Sequence, residues 1–326
     1  VIDVLSYASF FLTLALILGI AVLGLNLQWG FAGLFNVGVA GFVLVGAYTS
    51  ALLTAAASSQ HWGGWSWPIA AGWLAAMATS ALAALIVGVV TLRLRADYLA
   101  ITTFGAAASL QLVALNAERL TGGPFGIALI PRPFEALAGR PLAFGLANLA
   151  LVAGVALACL GLLQRLVGGP WGRALRAVRE DEAAAASLGK WPAALRLRAF
   201  VIGAALMGLA GAMHAQFFGF IAPENYLPVL TFQIWVMLVI GGSGNNLGAL
   251  LGAVVVWGLW SLSGTALAAL LPSDWQARGA SLRVAAIGVV LAAVLLWRPR
   301  GLLGERAVIS RHLGRLSADG GTAASE

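Results

Sequence analysis

Apolar residues run in blocks of about 20 along most of the chain, the length a helix needs to cross a bilayer core. Residues 5–27, 69–92, 98–115, 142–163 and 199–221 each form such a block, and a last one occupies 281–297. Residues 30–53 are apolar in a different way. Glycines at 30, 33, 38, 41 and 46, with Asn36 among them, interrupt the run. Each interior Gly costs roughly 1 kcal/mol of helix propensity against Ala, so the repetition predicts tight helix packing, a helix break, or both. Residues 229–240 are too short to span as a helix and lead into GGSGNNLG at 241–248, after which 249–271 is apolar again. That pattern predicts a broken or re-entrant helix pair around a glycine loop.

One long charged stretch breaks the apolar pattern, 172–189, GRALRAVREDEAAAASLG, within a hydrophilic middle at 164–198. On a helical wheel Arg173, Arg176, Arg179 and Glu180 share one side, and Leu175, Val178, Ala185 and Leu188 the other, with Asp181 and Glu182 among or beside them. The stretch predicts one short amphipathic helix, stopped by Gly189 and Pro192. Its acidic residues stand where a lipid-facing surface would want leucine, so it reads as a docking element for another protein.

Composition narrows the class. The chain is 61% hydrophobic and 10% charged, against about a quarter charged in soluble proteins. No alternating ten-residue segments of an outer-membrane barrel are present. The expected fold is an all-α polytopic membrane protein of eight to ten transmembrane or re-entrant helices. It forms one transmembrane domain over 1–303, followed by a basic, partly disordered cytoplasmic tail at 304–326. The start of the chain lacks a positive region and cleavage site, so no signal peptide is expected. The net charge of +7 follows membrane orientation and gives no basic–aromatic surface for nucleic acid. With the charged middle on the cytoplasmic side, fourteen Lys and Arg fall inside: Arg93, Arg95, the seven from Arg165 to Arg198 and the five from Arg298 onward. Five (Arg119, Arg132, Arg140, Arg278, Arg283) fall outside. This satisfies the positive-inside rule, with the C-terminus cytoplasmic and the Trp62–Trp65–Trp67 loop external.

Little catalytic chemistry is on offer. The sole lysine, Lys190, precedes Trp191, so there is no Gly-Lys-[Ser/Thr] phosphate loop. Three scattered histidines and one cysteine make no metal site, and no nucleophile–base–acid set suggests an enzyme. Polar or glycine-rich positions within the apolar blocks are candidates for a translocation path: Asn36, Gly38, Gly41, Thr102, His214, Gln216, Gly241, Gly242, Gly244 and Asn245. For His214 the competing reading is a hydrogen bond between helices; for 241–246 it is a simple tight turn. TGGPFG at 121–126 falls outside, where it meets a soluble partner or closes the mouth of the path.

Several segments together resemble the permease subunits of bacterial branched-chain amino-acid ABC importers, the second permease of the pair most closely. They are GFAGLFNVGVAGFVLVGAYTSALL, LRLRADYLAITTFG, LTGGPFGI, GRALRAVREDEAAAASLG, RAFVIGAALMGLAGAMHAQFFGFIAPENY and VIGGSGNNLGALLGA, in matching order over roughly 25–303. Urea and short-amide importers use similar permeases. The resemblance implies a bacterial inner-membrane complex: two homologous permeases, two cytoplasmic ATPase subunits holding ATP and Mg, and an extracytoplasmic solute-binding protein. This chain itself would bind no cofactor. Glu182, Ala183 and Ala184 followed by Gly189 are similar to the EAA…G pattern of importer coupling helices. The connection KWPAALRL at 190–197 departs from the family's milder one. The alternative is an ion-coupled secondary transporter, which usually needs a buried carboxylate, whereas every Asp and Glu here falls near a span end or in a loop.

Overall fold

The computed structural model describes residues 2–57, 62–92, 96–270 and 300–305, with isolated positions between 285 and 296. The block at 281–297, the charged turn at 93–95 and the tail beyond 305 therefore lie wholly or largely outside the described residues. The described chain is helical, with eleven α-helices: α1 (Ile2–Leu25), α2 (Val39–Thr54), α3 (Ile69–Thr91), α4 (Ala96–Asn116), α5 (Glu118–Thr121), α6 (Pro141–Gly168), α7 (Pro170–Glu180), α8 (Glu182–Ser187), α9 (Pro192–Phe218), α10 (Pro228–Gly241) and α11 (Asn246–Leu270). Six are long and apolar enough to cross a membrane, and α2 and α10 are shorter apolar helices. At 1.5 Å per residue α10, with 14 residues, reaches only about 21 Å, short of a ~30 Å hydrocarbon core.

α9 is the centre, flanked by α1, α2 and α3. Its partners come close because glycines face glycines. A Cβ on Gly46 would collide with the backbone of Gly208, one on Gly24 with the carbonyl of Gly203, and one on Gly211 with the carbonyl of Val43. Without a hydrophobic drive between helices in lipid, such backbone contact is what holds them. Both expectations for the 30–53 block are met. Gly41 and Gly46 pack a helix, whereas residues 33–38 are not helical at all.

α1 ends in a π-helical turn, Asn26–Phe31. α10 and α11 fold back on each other around residues 242–245, with Gly241 packed on Gly248 and Gly252. Residues 302–303 dock on the end of α10, Leu302 N donating to Ile240 O at 2.8 Å and Leu303 N to Gly241 O at 3.0 Å. At the opposite end of the bundle, Ile127 and Ile221 exchange a pair of 2.9 Å backbone bonds.

Candidate functional site

The charged middle forms two helices rather than the single one expected. Gly172 lies against the Val167 carbonyl, so α7 folds back tightly on the end of α6. At Asp181 the backbone turns extended (φ −147°, ψ 106°), and its carboxylate accepts from Ala184 N at 2.9 Å. Asp reaches backbone amides two or three residues ahead and so favours a cap over a helix interior. It therefore ends α7 and starts α8. Gly189, at φ +74°, stops α8 as expected.

Leu175, Val178 and Ala185 face inward and are buried. Leu188, expected with them, is 80% exposed, and Trp191 beside it is 76% exposed. The break at Asp181 rotates α8 away from the register of α7. The arginines also divide. Arg173 is exposed, with Glu180. Arg176 and Arg179 lie at the edge of the apolar face and turn in. The Arg176 guanidinium sits 5.4 Å from the centre of the Phe31 ring, and its Nη2 donates to Val167 O at 3.3 Å. Arg179 donates to Gly30 O and pairs with Glu305 at 2.9 Å. Glu182 pairs with Arg196 of α9 at 2.6 Å. What remains outward is a knuckle of Glu180, Asp181, Glu182, Ala183, Ala184 and Leu188.

Arg179 meets a polar cluster built on the π-turn. Asn26 Nδ2 donates to Asn246 Oδ1 at 2.8 Å, and Asn26 Oδ1 accepts from Gly244 N at 2.8 Å. Gln28 Nε2 donates to Phe200 O of α9 at 2.8 Å, while Gln28 Oε1 accepts from Asn36 Nδ2 at 2.7 Å. Asn36 Oδ1 in turn accepts from Gly38 N at 2.8 Å just ahead of α2, and its backbone carbonyl accepts from Trp235 of α10. Asn26, Gln28 and Asn36 are all 0% exposed, and each is satisfied.

The path candidates therefore occupy three places. Asn36, Gly38 and Gly41 lie where the broken segment meets α4, with Gly38 against the Thr103 carbonyl and Gly41 against Ala107. Here Thr103, not Thr102, makes the contact: Thr103 Oγ1 accepts from Val37 N at 3.1 Å, whereas the Thr102 hydroxyl bonds back to Tyr98 O of its own helix. Gly241, Gly242, Gly244 and Asn245 lie at the end that carries α7. Gly242 (φ +109°) abuts Leu303, Gly244 (φ +80°) abuts Glu305, and Asn245 Oδ1 accepts from Leu247 N at 3.1 Å. His214 and Gln216 sit at the opposite end of α9. Gln216 accepts from Trp73 Nε1 at 2.6 Å and donates to Ser50 Oγ at 3.1 Å, tying α2, α3 and α9. His214 lies 3.4 Å from the Tyr226 hydroxyl and stacks near Phe218. Both side chains thus bond to neighbouring elements, and the described residues do not gather the ten into one channel.

Asn26, Gln28, Asn246 and Glu305 were not singled out from sequence, nor was Thr231 of α10, whose hydroxyl accepts from Ala40 N of α2 at 3.0 Å. Two amides near the end of an apolar span were a usable signal, since such groups are expensive in lipid. The TGGPFG turn needs left-handed backbone at Gly122, Gly123 and Gly126, and it presents Phe125, 86% exposed, beside Leu129, 84% exposed. No cluster of three or more metal-ligating side chains occurs among the described residues.

A bundle of apolar, lipid-compatible helices with a short two-helix knuckle at one end defines a multi-pass membrane protein. The chain belongs to the branched-chain amino acid transport system / permease component family, whose model matches residues 7–297. It is 34% identical to the high-affinity branched-chain amino acid transport system permease protein LivM of Escherichia coli and 33% identical to that of Salmonella typhimurium. Each alignment covers 89% of this chain and 68% of the relative. A probable LivM of Methanocaldococcus jannaschii is 27% identical over 89% of this chain and 91% of its own. LivH of Escherichia coli matches over 42% of this chain at 32% identity. No solved structure matches the chain.

Proposed function

We propose that this chain is a membrane subunit of a binding-protein-dependent ABC importer that carries branched-chain amino acids, or related small amides or urea, into the bacterial cytoplasm. It works beside a second, homologous permease. Two ATPase subunits hold ATP and Mg at the cytoplasmic face, the α7–α8 knuckle seats in a groove of one of them, and a solute-binding protein delivers substrate at the end bearing Phe125 and Leu129. The C-terminus lies in the cytoplasm.

One observation carries the reading: Glu180 to Ala184 and Leu188 stand outward on short helices that pack inward through Leu175, Val178 and Ala185. A protruding surface of small residues rimmed by carboxylates fits a groove in a soluble partner and serves no purpose towards lipid. The charge pattern supports the ATP-driven reading over an ion-coupled carrier, since no carboxylate is among the buried polar side chains of the described residues.

The test is co-purification. Ala184→Arg places a long cation on the knuckle without touching the bundle, and it is expected to strip the ATPase subunits from the complex. Glu182→Lys, which also loses the Arg196 pair, is expected to uncouple ATP hydrolysis from leucine uptake. Full co-purification of the ATPase subunits with the Ala184→Arg permease would refute the docking role.

A further inference from the structure

The knuckle is exposed, but two of its arginines are not. α7 carries Arg176 and Arg179 on the side facing the bundle, with side chains 22% and 24% exposed. Arg179 reaches further than any neighbour. Its guanidinium donates from Nη1 to the Gly30 carbonyl and from Nη2 to both oxygens of Glu305, at 3.2 and 2.9 Å. Its stem lies against Gly33, whose φ of +69° and missing side chain leave room for it. Gly30 belongs to the π-turn that ends α1. The same turn holds the α10–α11 loop through Asn26, α9 through Gln28 and the broken entry to α2 through Asn36. π-turns inside α-helices store an irregular backbone that often marks functional sites.

We infer that Arg179 is a positioning residue, a strut that transmits movement of the docked α7–α8 knuckle to the π-turn of α1 and so to the helices gathered on it. A planar guanidinium suits this role, because its fixed fork holds a carbonyl and a carboxylate at once. α7 has other attachments to the bundle: the Leu175 and Val178 packing, the Arg176 hydrogen bond to Val167 O, its 3.7 Å ion pair with Glu305 and its guanidinium over the Phe31 ring of the π-turn. The first two seat α7 against the bundle, and the ring contact meets the π-turn through a side chain only. Among the described residues, Arg179 alone runs from α7 to the backbone of the π-turn by hydrogen bond. Glu305 steadies the guanidinium from the far side and brings residues 300–305, themselves bonded to the end of α10, into the same unit. The inference rests on the importer reading and names the route of its coupling.

The experiment uses the whole complex in liposomes, with leucine and the cognate binding protein. Three quantities are read: ATPase subunits retained, ATP hydrolysed, and leucine moved per ATP. Arg179→Gln is expected to keep the ATPase subunits and basal hydrolysis and to lower leucine per ATP by about tenfold, the scale of one hydrogen bond to a charged group. Arg179→Lys, which can serve Gly30 or Glu305 but not both, is expected to lose about threefold. Glu305→Gln should lose less than Arg179→Gln. An unchanged ratio in Arg179→Gln overturns the strut, as does loss of the ATPase subunits from that variant, which would make Arg179 part of the docking face. Equal losses in Glu305→Gln and Arg179→Gln overturn it too, assigning the effect to the 300–305 segment. Should Arg179→Gln not fold, a wild-type ratio in Arg179→Lys is decisive against it. A wild-type chain that concentrates leucine without nucleotide would defeat the importer reading itself, a result separate from all of these.

Discussion

At the scale of single residues, polar side chains in the bundle act as ties, and their value is set by what is stranded when one is removed. Gln216 joins Trp73 to Ser50. Gln216→Leu leaves the Trp73 indole N–H and the Ser50 hydroxyl without it, and it should lower stability by about 1–3 kcal/mol, read as the thermal midpoint of the detergent-purified permease. Asp181→Ala removes the cap of α8 at a cost of about 1 kcal/mol, and Asp181→Asn should retain most of it. Faster hydrogen exchange at 182–188 in the alanine variant only would show this. The identity of these residues was legible in the sequence, but their partners were not. Gln28 and Asn36 lie eight positions apart, yet Asn26 meets Asn246 across 220 positions and Arg179 meets Gly30 across 149. No local pattern encodes such pairs. Nor does local pattern say which of two adjacent hydroxyls, Thr102 or Thr103, meets the broken segment at Val37, since that depends on how α4 packs.

Elements were more readable, because lipid permits few backbone solutions and apolar length reports them. The block at 69–92 became Ile69–Thr91, and that at 98–115 became Ala96–Asn116. The broken entry to α2 and the short α10 were also foreshadowed by glycine spacing and length. What periodicity did not show was the Asp181 break or the π-turn, both of which are decided by one or two hydrogen bonds. The glycines allow a contrast at this scale. Gly46→Val drives a side chain into the backbone of α9, which no rotamer relieves, so the permease should fail to accumulate in membranes. Gly154 has nothing within 4 Å of an added Cβ. There Gly154→Ala should be neutral or stabilise by up to about 1 kcal/mol. Gly242→Val, at φ +109° against Leu303, should release the 300–305 segment and abolish uptake while leaving the long spans in place.

For the molecule as a whole, charge and fold agree about sidedness. Residues 300–305 share an end of the bundle with α7, so a single compartment must receive both. Single cysteines at Ser187 and Glu305, in a Cys159→Ala background, should therefore react alike with an impermeant maleimide: shielded in intact cells and labelled in inverted vesicles. The buried polar side chains of the described residues are all amides and hydroxyls, Asn26, Gln28, Asn36, Gln216 and Asn246 among them. Their regrouping moves dipoles but shifts no net charge through the field. The proposed cargoes, zwitterionic amino acids or neutral amides, add none. These buried side chains accordingly offer the electrical gradient no charge to move, and clamping vesicles at zero or at −100 mV (about 2.3 kcal/mol per charge moved) should leave turnover the same.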